Sequence, residues 1–331
     1  MVTSPYTDNI DISVVVPLYN EEESLPELMA WIDRVMRAND FSYEVWMVDD
    51  GSTDNSWRVV QGLREEFPEL RAVKFQRNYG KSPALNVGFQ YATGRVIITM
   101  DADLQDSPDE IPELYRMIVE EGYDVVSGWK QKRHDPIGKT LPSKFFNAVT
   151  RAVSGIHLHD FNCGLKSYDR RVVKSIEVYG DMHRHMPLLA KWAGFSNIGE
   201  KVVEHRARKY GHSKFGVSRL VTGFLDLLSL MFVGKFGKRP MHFFGTIGTL
   251  MFLLGLSSTI FVGAEKIYAL VNKMPKMLVA NNPWFYIGLT AMVLGTILFV
   301  TGFLAELVAR SNPDRNHYLV ETVLTDAEGV R

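Results

Sequence analysis

Asp101 and Asp103 flank Ala102 directly after the apolar run 96–100 (VIITM). On an extended chain, alternate residues turn to one side, so these carboxylates could together hold a hard cation such as Mg2+ or Mn2+ against a diphosphate. Two acids in a loop are more often simply solvated, and the neighbouring loops decide between the readings. Three other apolar runs end in similarly polar segments: PLYNEEE from Pro17, DDGSTD from Asp49 and QRNYGKS from Gln76. In the second, Ser52 or Thr53 could cap a helix. Capping does not explain Asp50, whose expected task is to accept hydrogen bonds from a nucleobase or ribose. The first run meets three glutamates where a dinucleotide-binding chain carries a glycine-rich turn, which excludes that class.

The elements that must position these loops alternate. Short β-branched runs at 12–16, 43–48, 71–75, 96–100 and 123–127 predict strands, several apolar enough to be buried on both faces. Between them, 22–36, 53–67, 83–92 and 111–120 repeat apolar residues at helical spacing. The expected class is α/β, a mostly parallel sheet with helices on both faces and ligands at the carboxyl ends of its strands. Further helices are predicted over 139–154 and, with one apolar stripe, over 215–233, the latter as an in-plane helix at a membrane interface.

The last third differs in kind. No charge occurs over 241–264 or over 284–305, so each segment can cross a ~30 Å hydrocarbon core as a helix. His242, Trp284 and Tyr286 suit the interfaces. Basic residues before the first span and after the second favour a cytoplasmic location for both termini. The N-terminus has neither a basic start nor an apolar core, so no cleavable export signal is expected. The expected organisation is a cytosolic catalytic domain at 1–210, an amphipathic juxtamembrane region at 211–240, two spans within 241–308, and a mobile polar tail at 309–331. With 37 basic against 38 acidic residues, no polyanionic partner such as nucleic acid is implied. A single cysteine, Cys163, fits a reducing compartment.

Taken in order, V-P-x-Y-N-E, V-D-D-G-S-x-D, R-N-x-G-K and D-A-D-L-Q resemble the inverting GT-A (Rossmann-like) glycosyltransferases of family 2. Asp160-Phe161-Asn162-Cys163-Gly164-Leu165-Lys166 and Arg206–Lys214 extend the resemblance to the polyprenyl-phosphate branch, dolichyl-phosphate mannose synthases and bacterial bactoprenol glucosyltransferases among them. The resemblance implies that Pro17, Tyr19, Glu21 and Asp50 hold the nucleoside of a nucleotide-sugar donor, with Gly80, Lys81 and Arg133 close by. It implies that Asp101, Asp103 and Gln105 organise Mg2+ or Mn2+ and the diphosphate. Arg208, Ser213 and Lys214 would meet the phosphate of a polyprenyl acceptor, while Asp160 would orient a cation or act as a base. UDP-glucose and undecaprenyl phosphate are the expected substrates, in a bacterial inner membrane and in a homo-oligomer such as a tetramer. Around Trp129-Lys130 the chain departs from the mannose-synthase pattern.

Two other functions compete. A processive polysaccharide synthase would show Q-x-x-R-W, where this chain has Leu188-Leu189-Ala190-Lys191-Trp192. A silent sugar-nucleotide scaffold would not need Asp101 and Asp103. His157 with His159, and His183 with His185, are discounted as metal ligands because a two-residue spacing opposes the rings on a helix. Tyr79, Trp129 and Phe215 are read as packing residues, and Cys163 as a small buried one.

Overall fold

The computed structural model describes residues 10–131, 147, 150–151, 154–178, 180, 182–206, 209–210, 240–275, 278–310 and 320–324. The chain divides into two compact units, one of residues 1–224 and 315–331, the other of 225–314.

In the first unit the five predicted strands form: β1 Ile12–Leu18, β2 Tyr43–Asp49, β3 Leu70–Phe75, β4 Val96–Thr99 and β5 Val125–Trp129. Three more join them: β6 Lys166–Asp169, β7 Ile198–Val202 and β8 Val320–Leu324. The sheet runs β7-β5-β6-β4-β1-β2-β3-β8. β1 through β4 are mutually parallel, β6 lies antiparallel between β4 and β5, and β8 lies antiparallel along β3. β8 comes from the segment expected to be a mobile tail. Its apolar residues Val320, Val323 and Leu324 are few, and the backbone bonds along β3 that define it leave no periodic signal in so short a run.

The predicted helices appear as α1 Leu25–Ala38, α2 Ser56–Glu66, α3 Lys81–Tyr91 and α4 Ile111–Val119, followed by two short ones, α5 Arg170–Ser175 and α6 Met186–Trp192. Strand alternation sends Val14, Val16, Val45 and Met47 into one core with α1, α2 and α4. Val15, Trp46, Val48 and Val73 enter a second core with α3, α5 and α6. The product is a three-layer sandwich. Each fully buried Val, Ile or Leu in it contributes roughly 1.5–3 kcal/mol, which is why β1 and β2 have no exposed residue.

At the amino end of the sheet a buried polar cluster locks β1, β2 and β3 together. Glu44 Oε1 accepts from Ser13 Oγ at 2.5 Å, Thr93 N at 2.7 Å and Thr93 Oγ1 at 2.9 Å, while Arg71 pairs with its other oxygen.

The second unit is an antiparallel pair, α7 Pro240–Val271 and α8 Pro283–Arg310. Both are long and apolar enough to cross a membrane, over 241–271 and 283–305. Their seam is lined by small residues: a Cβ on Gly248 would lie 2.6 Å from Gly295 O, and one on Gly255 would lie 2.4 Å from Gly288 O. Large side chains such as Leu254, Phe261, Ile297 and Phe303 point outward. The predicted helix at 215–233 and most of that at 139–154 lie outside the described residues.

Glu44→Ala should cost about 3 kcal/mol, because it strands partners that are buried and desolvated. Urea unfolding of the detergent-purified chain measures this, and a loss under about 1 kcal/mol would show that the cluster is dispensable.

Candidate active site

The strand order reverses at β1, which pairs with β2 on one side and β4 on the other. The crevice at the carboxyl ends of such a switch point is where open α/β sheets bind ligands. The loops after β1, β2, β3 and β4 meet there and are bonded in series.

The first and second loops are joined by Asn20, whose N–H donates to Ser52 Oγ at 2.9 Å and whose Oδ1 accepts from Thr53 N at 2.8 Å. Ser52 and Thr53 are therefore loop ties and not the helix caps expected of them. α2 begins later, at Ser56, behind Asn55. Glu21 N–H donates to Ser56 Oγ at 2.9 Å, and Pro17 sits within β1 opposite Val48, one residue short of the edge. Tyr19 follows at the strand's end.

The second loop holds the third through Asp50, which accepts from Tyr79 N at 2.6 Å and Gly80 N at 2.8 Å. Burial raises the Asp50 pKa, and these two N–H groups oppose the rise. Gly51, next in sequence, has φ 70°, and a Cβ there would lie 2.5 Å from the Arg77 carbonyl carbon, so only glycine fits.

The third loop meets the fourth through Lys81. This residue opens α3, and its ammonium is paired with Asp101. Burial would raise the Asp101 pKa, but the Lys81 charge and hydrogen bond, with Lys130 behind, hold it well below the usual carboxylate range. β4 ends at Thr99, so Asp101 and Asp103 stand in a turn and not on an extended strand. What shapes that turn is Leu104, buried with φ 60°, a left-handed conformation costly for a bulky side chain and kept only where its surroundings enforce it. Gln105 N–H donates to Asp103 Oδ1 at 3.2 Å, and its carbonyl accepts from Arg206 N at 2.9 Å.

Gly164 closes the back of the site. A Cβ on it would lie 2.4 Å from Asp101 Oδ2, so the carboxylate occupies space that any side chain would fill. Asp160 is buried, and its Oδ1 accepts from Asn162 N at 3.0 Å. Asp106, also buried, pairs with Lys130 at 2.7 Å. Burial followed by Asp106 pushes the Cys163 thiol up to about 12, which leaves it inert at neutral pH.

The donor set suits a hard divalent cation. Asp101 and Asp103 offer only oxygen, Asp101 keeps about a third of its side chain open (34%), and the bare Gly164 leaves room beside it. Among the described residues no group of three His, Cys, Asp or Glu could hold a metal.

Asp50, Gly80, Lys81 and Asp101 are thus brought together, with Asp103 and Gln105 in the same turn as Asp101. Arg133, Arg208, Ser213 and Lys214 lie outside the described residues. His183 was discounted from sequence as a metal ligand, and Gly164 appeared there only within a motif. His183 Nδ1 lies 2.9 Å from Ser82 Oγ, beside Lys81, and burial with the Lys81 and Arg184 charges pushes its pKa well below 6.5. The helical argument against the histidine pairs holds only in part. Residues 155–160 are not helical, and His159 instead stacks on Trp129, with ring centroids 4.0 Å apart, and pairs with Glu200.

A mostly parallel sheet covered by helices on both faces, with polar loops meeting at its switch point, is a GT-A-like fold. The fold is similar to that of Mycobacterium tuberculosis glucosyl-3-phosphoglycerate synthase, solved with Mn2+ and uridine-diphosphate-glucose, at TM-score 0.53 and 20% identity over 68% of this chain and 79% of that one. The glycosyl transferase family 2 model matches residues 13–177. The chain is 33% identical to the dodecaprenyl-phosphate galacturonate synthase of Rhizobium johnstonii, over 98% of this chain and 96% of that one. It is 32% identical to an undecaprenyl-phosphate 4-deoxy-4-formamido-L-arabinose transferase of Pseudomonas savastanoi, over 96% and 92% respectively. The chain belongs to glycosyl transferase family 2.

Gly164→Ala should lower transfer on the order of 10²-fold by displacing Asp101 while the sheet stays folded. Turnover beside the thermal unfolding midpoint checks this, and turnover near wild type would show that Asp101 needs no such room.

Proposed function

We propose that this enzyme transfers a sugar from a nucleotide diphosphate donor to the phosphate of a polyprenyl lipid at the cytoplasmic face of a bacterial inner membrane. The observation that carries the reading is the Asp101–Lys81 pair at the switch point, in a chain with two helices apolar enough to span a bilayer. Full-length similarity to two polyprenyl-phosphate sugar transferases supports the acceptor.

Asp101 and Asp103 would hold a divalent cation for the donor diphosphate, with Gln105 fixing their turn. The ion, when bound, neutralises the departing diphosphate. Lys81 adds charge to the same group from the α3 N-terminus, and Asp50 keeps its loop in place. Pro17, Tyr19 and Glu21 line the nucleoside side, and Arg133 is assigned to the donor by the family resemblance alone. Arg208, Ser213 and Lys214 take the acceptor phosphate. That phosphate is mostly ionised at pH 7, given a second pKa of ~6, so it attacks C1 without losing a proton to the protein. Asp160 then serves to orient a cation, and positioning and charge neutralisation are the chain's main tasks.

Neither relative's name includes glucose, the sugar expected from the sequence. Galacturonate and formamido-arabinose both differ from glucose at the C4–C6 edge, and the proposed donor is a UDP-sugar modified there. Purified enzyme in undecaprenyl-phosphate vesicles, given labelled UDP-galacturonate, UDP-formamido-arabinose or UDP-glucose in turn, tests this. Chloroform-extractable label from one of the first two, abolished by EDTA and lowered on the order of 10²-fold by Asp103→Ala, is expected. Label in polymer, transfer that survives EDTA, or use of UDP-glucose alone contradicts it. If Asp160→Asn removes the acid limb of the pH profile while donor binding is intact, Asp160 is a general base after all.

A further inference from the structure

Lys81 is placed where electrostatics disfavours it. The first turn of a helix is its positive end, and a lysine there is repelled by the backbone unless an anion meets it. Asp101 is that anion. Three lysines act on Asp101, and two of them are engaged elsewhere: Lys130 with Asp106 at 2.7 Å, and buried Lys166 with the Cys163 carbonyl. The Lys81 ammonium is seated on the Asp101 carboxylate itself, with side chains 31% and 34% open, so this pair can separate without disturbing the core. Its backbone, in contrast, is fixed, since Asp50 accepts from both residues before it and Ser82 is bonded to His183.

We propose that Lys81 is a place-holding cation: it neutralises Asp101 in the resting enzyme, excludes a divalent ion that arrives alone, and moves to the donor's diphosphate when metal and nucleotide arrive together. This rests on the metal-and-diphosphate reading above. With Lys81 in place a divalent ion arriving at the turn meets a positive charge seated on Asp101. A diphosphate gives the ammonium a new partner at the same helix end and returns Asp101 to the metal. Metal and nucleotide then strengthen one another by the same factor, since coupling between two ligands is reciprocal. The benefit is that the site does not fill with free metal between turnovers.

Mn2+ binding to the full-length detergent-purified chain, counted by electron paramagnetic resonance with and without UDP, tests the proposal independently of turnover. Wild type should bind Mn2+ weakly alone and much more tightly with UDP. Lys81→Met and Lys81→Gln should each bind Mn2+ alone at least about tenfold more tightly than wild type, as expected for removing a unit charge a few ångströms from the ion. They should also lose most of the UDP enhancement. Lys81→Arg, which keeps the charge, should stay near wild type. If both neutral variants bind Mn2+ alone no better than wild type, while wild type still binds it with UDP, the place-holding role is wrong and the metal site stands. If wild type binds UDP yet takes up no Mn2+ in its presence, the metal reading fails and the place-holding role falls with it.

Discussion

The site depends on one carboxylate that does not itself need to touch a metal. Asp50 accepts from the Tyr79 and Gly80 amides, and through them it sets where α3 begins and where Lys81 points. Without that anchor the third loop would have no fixed relation to β2. The ammonium would then have no fixed relation to Asp101. The cost is a buried carboxylate with a raised pKa, which is tolerable because two backbone donors meet it. Gly51, next in sequence, allows the close approach that the anchor requires.

The two ends of the sheet use charge differently. At the amino end, Glu44 is satisfied by four donors and is sealed away, which makes it a fastener. At the carboxyl end, Asp101 and Lys81 form a pair that remains partly open. An opened pair costs little when each partner has another to go to, and a diphosphate with its cation offers both. Gly164 and the left-handed Leu104 hold the turn in a form that a more relaxed loop would not keep. At this turn a strained residue and a bare backbone lie together beside Asp101.

Much of this was legible in the sequence. Five strands and four helices follow from apolar patterning, because the strands are buried on both faces and α1, α2 and α4 on one, while α3 is buried nearly all round. Asp101, Asp103 and Asp50 stood out because acids directly after buried strands have no packing reason to be there. What periodicity cannot show is pairing at a distance. β6 and β7 are short and lie among segments without a repeat, and β8 is defined by its bonds to β3 after an excursion through two long helices. Ser52 and Thr53 looked like caps because local sequence carries no sign of Asn20, 32 and 33 residues earlier. Gly164 was quoted only as part of a motif, since the reason for a bare Cα is the carboxylate lying against it. His183 was set aside on spacing, yet it lies against Ser82 in the first turn of α3.

The central claim is that Asp101 and Asp103 form the seat of a cation brought by a diphosphate donor. Anomalous diffraction at the manganese edge, from crystals of the full-length enzyme grown with Mn2+ and UDP, tests it most directly. The account predicts one strong peak between the Asp101 and Asp103 carboxylates, continuous with diphosphate density, with Lys81 turned from Asp101 toward a phosphate oxygen. A diphosphate bound at the switch point with no manganese peak beside these two aspartates would contradict it.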